Sequence, residues 1–318
     1  MESGFRKVLF VAAVILAHAS FSQNDFFFNH YAFNPTYFNP AWAGVEDQAF
    51  VAAHHRTQWA GYDATFDPEG APTTQLLSAI IPAKGRLSGF GLSFVNDRTG
   101  PLTSIQARIA VSTSFELNQG RINIGIMPAL NVASLNANFR PADSQSDPLI
   151  PNGNESQFQP NLHAGIVFQS QREYFVGVSA ENILQPEFSF GTDAGNNIEA
   201  SYNLFAGRPV GISRSLILKP TLLVRSDLNS YSLDLTALLE YEEKMWGGIA
   251  FRRSESLSLL LGYSFLQDNK LKAGYSFDYV IRERDAKEPT SHEVFIRYNL
   301  PDLVFGGRKA VKTPRFAF

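Results

Sequence analysis

Histidine side chains are the residues of this sequence best suited to acid–base or metal chemistry. His54 and His55 are adjacent within a predicted strand. Neighbouring strand residues point to opposite faces, so these two cannot easily bind one ion. His30, His163 and His292 stand alone in the sequence. We therefore expect structural roles for these histidines rather than a metal site.

The longest polar stretch, residues 141–156, carries carboxylates at Asp143, Asp147 and Glu155. Carboxylates beside Asn and Gly suit calcium, but this spacing matches no calcium loop, and a solvated loop is the simpler interpretation. The chain contains no Cys, and we find no nucleophile elbow, phosphate loop, dinucleotide fingerprint or zinc-protease motif. The sequence thus predicts a protein that is not an enzyme, with no catalytic residue, metal or cofactor.

Charged side chains inside predicted strands indicate a network on one face of a sheet. The arginines in question are Arg56, Arg108, Arg225, Arg252 and Arg297, and the carboxylates are Glu116, Asp234, Glu240 and Asp278. In a membrane barrel a charge on the lipid face costs a few kcal/mol. We expect these residues to face the lumen and to pair there, in preference to forming a constriction that selects solutes.

The composition and the period of the sequence favour a transmembrane barrel. Charged residues are only 18% of the 318 residues and aromatic residues 13%, against about 25% charged in average soluble proteins. Apolar and polar residues alternate with a period of two, so that Leu259, Leu261 and Phe277 are predicted to face lipid. Their neighbours Ser258 and Asp278 are predicted to face the lumen. Aromatic residues near the segment ends suggest interfacial girdles.

We predict an all-β fold, a transmembrane antiparallel β-barrel of about fourteen strands, an even number as expected for bacterial outer-membrane barrels. The predicted strands are 46–57, 73–82, 86–96, 102–116, 121–132, 158–170, 173–181, 198–209, 214–226, 230–242, 245–253, 256–267, 269–281 and 291–299. Connections after even-numbered strands are short and several after odd-numbered strands are long. This asymmetry predicts periplasmic termini, with long loops such as 141–156 on the cell surface.

The chain divides into four predicted regions. Residues 1–22 resemble a secretory signal peptide, with Arg6 and Lys7 before a short apolar run. Residues 23–44 form an aromatic periplasmic segment, 45–300 the barrel and 301–318 a basic periplasmic tail. A net charge of −3 argues against nucleic acid as a partner. We expect the protein in the cell outer membrane, surrounded by lipid.

The aromatic segment contains the candidate partner-binding residues. Its rings are too many to leave in water, and its two Asn-Pro steps oppose a strand or a helix. The candidates are Phe33, Tyr37 and Trp42. Two destinations for these side chains remain open: a periplasmic partner, or the mouth of this barrel, which they would plug or cap.

Several motifs together resemble the PorP/SprF family of the type IX secretion system, which is found in Bacteroidota. The motifs are NPTYFNPAWAG (34–44), RTQWAGYD (56–63), APTTQLLSAIIP (71–82), GFGLSFVNDRTGP (89–101), GIMPALNVASLN (125–136), NLHAGIVF (161–168), SAENILQP (179–186) and the C-terminal TPRFAF. They follow one another in order over nearly the whole predicted mature chain.

The resemblance implies a non-enzymatic outer-membrane component of type IX secretion and gliding motility, which supports export or surface attachment of cargo proteins. It implies periplasmic machinery components and a secreted surface protein such as an adhesin as partners. A second hypothesis is a pore for passive or selective solute transport, because about fourteen strands can leave an open lumen. A third is a soluble secreted β-sandwich lectin.

Overall fold

The fold is seen in a computed structural model, which describes residues 27–62, 70–135, 155–190, 195–253, 255–282 and 287–301. The predicted signal peptide, Asp143, Asp147 and nearly all of the C-terminal tail lie outside the described residues. In these described ranges, no helix is long and apolar enough to cross a membrane.

Fourteen strands of the described chain form a closed antiparallel barrel, because the first strand pairs with the last and each other neighbouring pair is hydrogen-bonded. This confirms the predicted fold class. The strands are β1 Phe50–Thr57, β2 Thr73–Pro82, β3 Gly89–Thr99, β4 Leu102–Leu117, β5 Gly120–Leu135, β6 Glu155–Ser170, β7 Phe175–Glu181, β8 Ser201–Gly207, β9 Leu216–Ser226, β10 Tyr231–Tyr241, β11 Met245–Arg252, β12 Ser256–Phe265, β13 Leu271–Val280 and β14 Thr290–Asn299.

Some predicted strand ends differ from the observed ones. β1 begins at Phe50 rather than at residue 46, since Asp47 and Gln48 form an exposed link. β5 and β6 extend further than predicted, because their ladder continues to the pair Leu135 and Glu155. Glu155 is therefore a strand residue rather than a loop residue.

The two ends of the barrel differ in the connections that they carry. At one end, which we call the near end, the chain enters β1 and leaves β14, and the longest connection is 208–215. The opposite end, the far end, carries 58–72, 136–154, 182–200 and 281–289, as well as three short turns. A short hairpin of Glu187–Ser189 and Gly195–Asn197 lies within 182–200. The predicted asymmetry of loop lengths is confirmed.

Outward and inward side chains alternate along the strands of the barrel wall, as the sequence predicts. Leu259 and Leu261 point outward and are about half exposed, whereas Ser258 and Asp278 point inward and are buried. Exposed aromatic side chains lie near both ends, with Phe115 and Tyr263 at the near end and Tyr279 at the far end. The barrel therefore has the apolar outside with aromatic girdles of a membrane barrel. Its inside buries polar side chains together with apolar ones such as Leu76, Phe205 and Leu223.

Candidate functional site

The lumen contains residues 27–45, which we call the plug segment. Three 3-10 turns, Tyr31–Phe33, Pro35–Tyr37 and Pro40–Gly44, form most of it. Proline suits the first position of such a turn because it has no N–H to leave unpaired and its φ is already fixed. The Asn39 side chain accepts a hydrogen bond from the Ala41 amide at 3.0 Å. The two Asn-Pro steps thus produce turns, as the sequence predicts.

The plug segment runs along the barrel from end to end. The Val45 carbonyl accepts a hydrogen bond at 3.4 Å from Arg121, which lies beside a near-end turn. Phe27 lies between Arg225 and Arg252, close to the far end, with guanidinium-to-ring distances of 4.1 and 4.5 Å. These cation–π contacts hold the N-terminal end of the segment, which we call its leading end, against the wall.

The predicted partner-binding residues lie inside the barrel, against its wall. Phe33 packs between Trp246 and Phe295, at ring distances of 4.9 and 5.1 Å. The Trp42 ring lies 5.1 Å from that of Phe175, and Tyr37 is buried below the guanidinium of Arg108 at 4.9 Å. Of the two destinations that the sequence left open, the structure shows these rings in the lumen.

The remaining rings of the plug segment form a core with apolar wall residues. Phe38 meets Phe205 edge to face at 5.1 Å, and both belong to one buried cluster with Leu76 and Leu223. Tyr31 hydrogen-bonds the hydroxyls of Thr221 and Thr236 at 3.0 Å each.

Wall side chains bind the backbone of the plug segment through its carbonyl groups. Arg297 donates to the Phe33 carbonyl at 2.8 Å, Arg108 to the Tyr37 carbonyl at 2.8 Å and Ser179 to the Phe38 carbonyl at 2.7 Å. Each carbonyl that leaves water needs such a donor. These contacts therefore satisfy the backbone without adding a strand to the sheet.

Glu293 binds the leading end of the plug segment through its amide groups. Its carboxylate accepts hydrogen bonds from the Asn29 amide at 2.6 Å, the His30 amide at 3.0 Å and the His30 ring at 2.8 Å. Glu293 is fully buried. The Asn29 side chain also donates to Ser276 at 2.8 Å and to Asp278.

The charged network of the wall is largely the predicted one. Asp278 pairs with Arg56 at 2.6 Å, and Asp234 pairs with Arg252 at 2.5 Å and Arg225 at 3.3 Å. Three further pairs complete it: Glu240 with Lys219 at 2.7 Å, Arg108 with Glu181 at 3.4 Å and Arg297 with Glu46 at 2.9 Å. Glu116 shares the inward register of Arg108 and Ser112 on β4, as predicted, but it lies exposed at the near end of the strand, outside the pairs named above.

Sequence reasoning missed Glu293, Glu181, Lys219, Ser179 and Glu46. The first four occupy strand positions, so the same alternation that identified the arginines would have identified them had it been applied to them on β7, β9 and β14. Glu46 falls within the predicted first strand, 46–57, on the same face as Arg56, whereas in the structure it lies in the link before β1.

The histidines take structural positions. His54 points inward and is buried, while His55 points outward and is exposed, as their adjacency predicts. His163 is buried and its Nδ1 accepts from the Asn182 amide at 3.4 Å, and His292 hydrogen-bonds the Tyr275 hydroxyl at 2.6 Å. Within the described ranges, no group of three His, Cys, Asp or Glu is arranged to hold a metal ion.

Two glycines allow the plug segment to approach the wall closely. A side chain at Gly89 would overlap the Ala43 carbonyl, and one at Gly125 would overlap the backbone at Pro40 and Ala41.

Beside Phe28 and Tyr31 a cavity of about 10 Å³ remains, which is the space of one water molecule. The plug segment thus occupies the inside of the barrel and packs closely against the described strands.

Comparison with known proteins places this barrel in a family. Residues 20–298 match the family model described as type IX secretion system membrane protein PorP/SprF. The chain belongs to the PorP/SprF family. No curated protein matches the sequence. The family is described as a membrane component of a secretion system, which agrees with a chain that presents a filled barrel.

Solved structures similar to this PorP/SprF-family chain are outer-membrane barrels. A TodX deltaS2S3 mutant monoaromatic hydrocarbon channel has a TM-score of 0.50 at 10% identity and covers 89% of this chain and 97% of its own. A Pseudomonas aeruginosa FadL homologue has a TM-score of 0.45 at 14% identity and covers 89% and 96%. At such identity the likeness concerns the fold alone.

Proposed function

We propose that this protein is a non-enzymatic outer-membrane component that supports export or surface attachment of cargo proteins by the type IX secretion and gliding motility system. The observation that carries the proposal is the PorP/SprF match over residues 20–298. Its partners are machinery components on the periplasmic side and a secreted surface protein such as an adhesin. The near end faces the periplasm, and the long far-end connections face the cell surface and the cargo.

The filled lumen supports this proposal over the alternative of a solute pore. Inward side chains such as Arg225, Asp278 and Glu293 are buried, and the plug segment occupies the space that a solute would cross. A channel for passive transport needs a continuous aqueous path. We expect the purified barrel to show no steady conductance in planar bilayers.

The role of Phe33, Tyr37 and Trp42 in partner binding stays a prediction. Each ring contacts the wall, so binding to a periplasmic component would require the segment to leave the lumen. The same three residues have a structural role that needs no partner, which is to fill the barrel.

Deletion of the gene, with complementation by a plasmid copy, tests the proposed function. We expect the deletion strain to lose a surface adhesin from whole cells, as measured by surface proteolysis and blotting, and the plasmid to restore it. A tagged copy should recover machinery components from native membranes. Normal adhesin display together with impaired uptake of a solute would instead support the pore.

A further inference from the structure

We propose that the inner wall of the barrel is a polypeptide-binding site, which the plug segment occupies in cis and which accepts an uncharged, aromatic segment of the same kind from another chain in trans. The proposal rests on the proposed export function for the source of that second chain, a secreted polypeptide. The site itself is defined by the wall residues that contact the plug segment.

The plug segment is bound as a ligand is bound. Its backbone pairs with no described strand, and wall side chains hold it instead through the carbonyls of Phe33, Tyr37 and Phe38 and the amides of Asn29 and His30. Contacts to carbonyls and amides do not depend on the side chain of the residue that carries them. These backbone contacts therefore require the turns of the segment, and the choice among such segments is left to their side chains.

The electrostatics of the wall allow the occupant to be exchanged. The plug segment contains no Asp, Glu, Lys or Arg, whereas the charged wall residues pair with one another, as in Arg56 with Asp278 and Arg252 with Asp234. Removal of one partner of a buried pair is costly because it leaves an unpaired charge. Withdrawal of the segment breaks none of these wall pairs, and Glu293, which would lose the His30 ring, keeps His54 and Arg56 at 3.8 Å.

Contacts between aromatic side chains define which segments fit. Phe33 packs against Trp246, Phe38 against Phe205, and Trp42 against Phe175. The Asn-Pro steps at Asn34 and Asn39 separate these three rings. The expected ligand is a neutral segment with aromatic residues four or five positions apart and an Asn-Pro turn between each pair.

An exposed link joins the plug segment to the barrel. Asp47 and Gln48 are exposed, while Val45 before them and Ala49 after them are buried. A protease recognition sequence inserted between Asp47 and Gln48 would allow the link to be cut after the full chain has folded. The plug segment would then be held only by noncovalent contacts.

Peptide exchange on the cut protein tests the proposal. The detergent-solubilised, cut barrel is mixed with a fluorescent synthetic peptide of residues 27–45 and separated by gel filtration. We expect the native fragment to stay with the barrel at first and the labelled peptide to replace it over time. A matched peptide with F33A, F38A and W42A should bind at least about a hundredfold more weakly, since each lost ring removes buried contacts.

Three results would overturn the proposal: a fragment that never exchanges while the barrel keeps its heat-modifiable mobility, equal uptake of both peptides, or unfolding of the barrel on cutting. The first and third would make the plug segment a permanent part of the core. The assay measures binding in purified protein, so a negative result would overturn this proposal without contradicting the proposed function. Normal adhesin display in the deletion strain would contradict the proposed function without changing the result of the peptide exchange.

Discussion

Glu293 is the wall residue on which the leading end of the plug segment depends most. It is buried on β14 and accepts three hydrogen bonds, from the Asn29 amide and from the amide and ring of His30. Hydrogen bonds to an ionised group are roughly twice as strong as those between neutral groups. A single carboxylate thus holds two consecutive residues of a segment that has no strand partner.

We predict that Glu293→Gln loosens the plug segment. A glutamine presents one acceptor oxygen and one donor nitrogen, so at least one amide N–H loses its acceptor, at a cost of about 1.5–3 kcal/mol. The nearby Arg56 keeps its pair with Asp278. Bilayer recordings should show new channel openings, while the outward substitution Val294→Leu on the same strand should show none. A silent Glu293→Gln barrel of unchanged stability would contradict this view of the residue.

Leu259 tests the outward register of β12. It is 49% exposed on the outer face, so Leu259→Arg should lower the free energy of unfolding by about 2–4 kcal/mol if it lies near the bilayer midplane. Leu228, 78% exposed in a far-end turn, supplies the control, because Leu228→Arg should have little effect. Urea unfolding in lipid vesicles gives both values, and equal costs would mean that Leu259 does not face lipid.

At the scale of elements, different contacts hold the plug segment and the strands in place. Each strand shares backbone hydrogen bonds with two neighbours. The plug segment has only three short turns of its own, and its position depends on ring contacts and on wall donors such as Arg108 and Ser179. Loss of its rings should therefore affect the segment before it affects the barrel.

The triple variant Phe33→Ala, Tyr37→Ala and Trp42→Ala separates plugging from partner docking. Truncation of a well-packed Phe or Trp to Ala costs about 3–5 kcal/mol, so we expect raised conductance and easier cleavage of the segment in a barrel that still shows heat-modifiable mobility. Co-purification with the export machinery that persists would assign these three residues to plugging alone. Loss of the machinery from a barrel that remains closed would instead support docking by these three residues.

At the scale of the whole molecule, the two ends of the barrel differ in length of connection, and this difference carries the proposed orientation in the membrane. The near end has short turns such as 118–119, and the far end has long connections such as 136–154 and 182–200. Outer-membrane barrels of bacteria place short turns in the periplasm.

Cysteine labelling on whole cells tests this orientation. The chain has no Cys of its own, so each introduced thiol reports one site. Asn229→Cys lies in a far-end turn and Asn118→Cys in a near-end turn, and both positions are exposed. A membrane-impermeant maleimide should label only the first in intact cells and both after lysis. The reverse pattern would invert the proposed topology.

The sequence by itself determined the barrel. Alternation is a local property, since successive Cβ atoms point to opposite faces of a strand, and it identified Leu259 as outward and Ser258 as inward. It also identified most members of the wall network, because charge is excluded from the outer face by its cost in lipid. Strand ends were less accurate, as at β1 and β5, since a ladder ends where its partner strand does.

Only the tertiary structure decided where the aromatic segment lies. Its sequence shows that the rings must be buried and that Asn-Pro steps prevent a strand, but it does not specify which surface covers them. The contacts that decide this join residues far apart in the chain, as between His30 and Glu293 or Tyr37 and Arg108. No periodic pattern encodes such pairs. The surface that covers the segment is the inside of the barrel, which exists only where fourteen strands close.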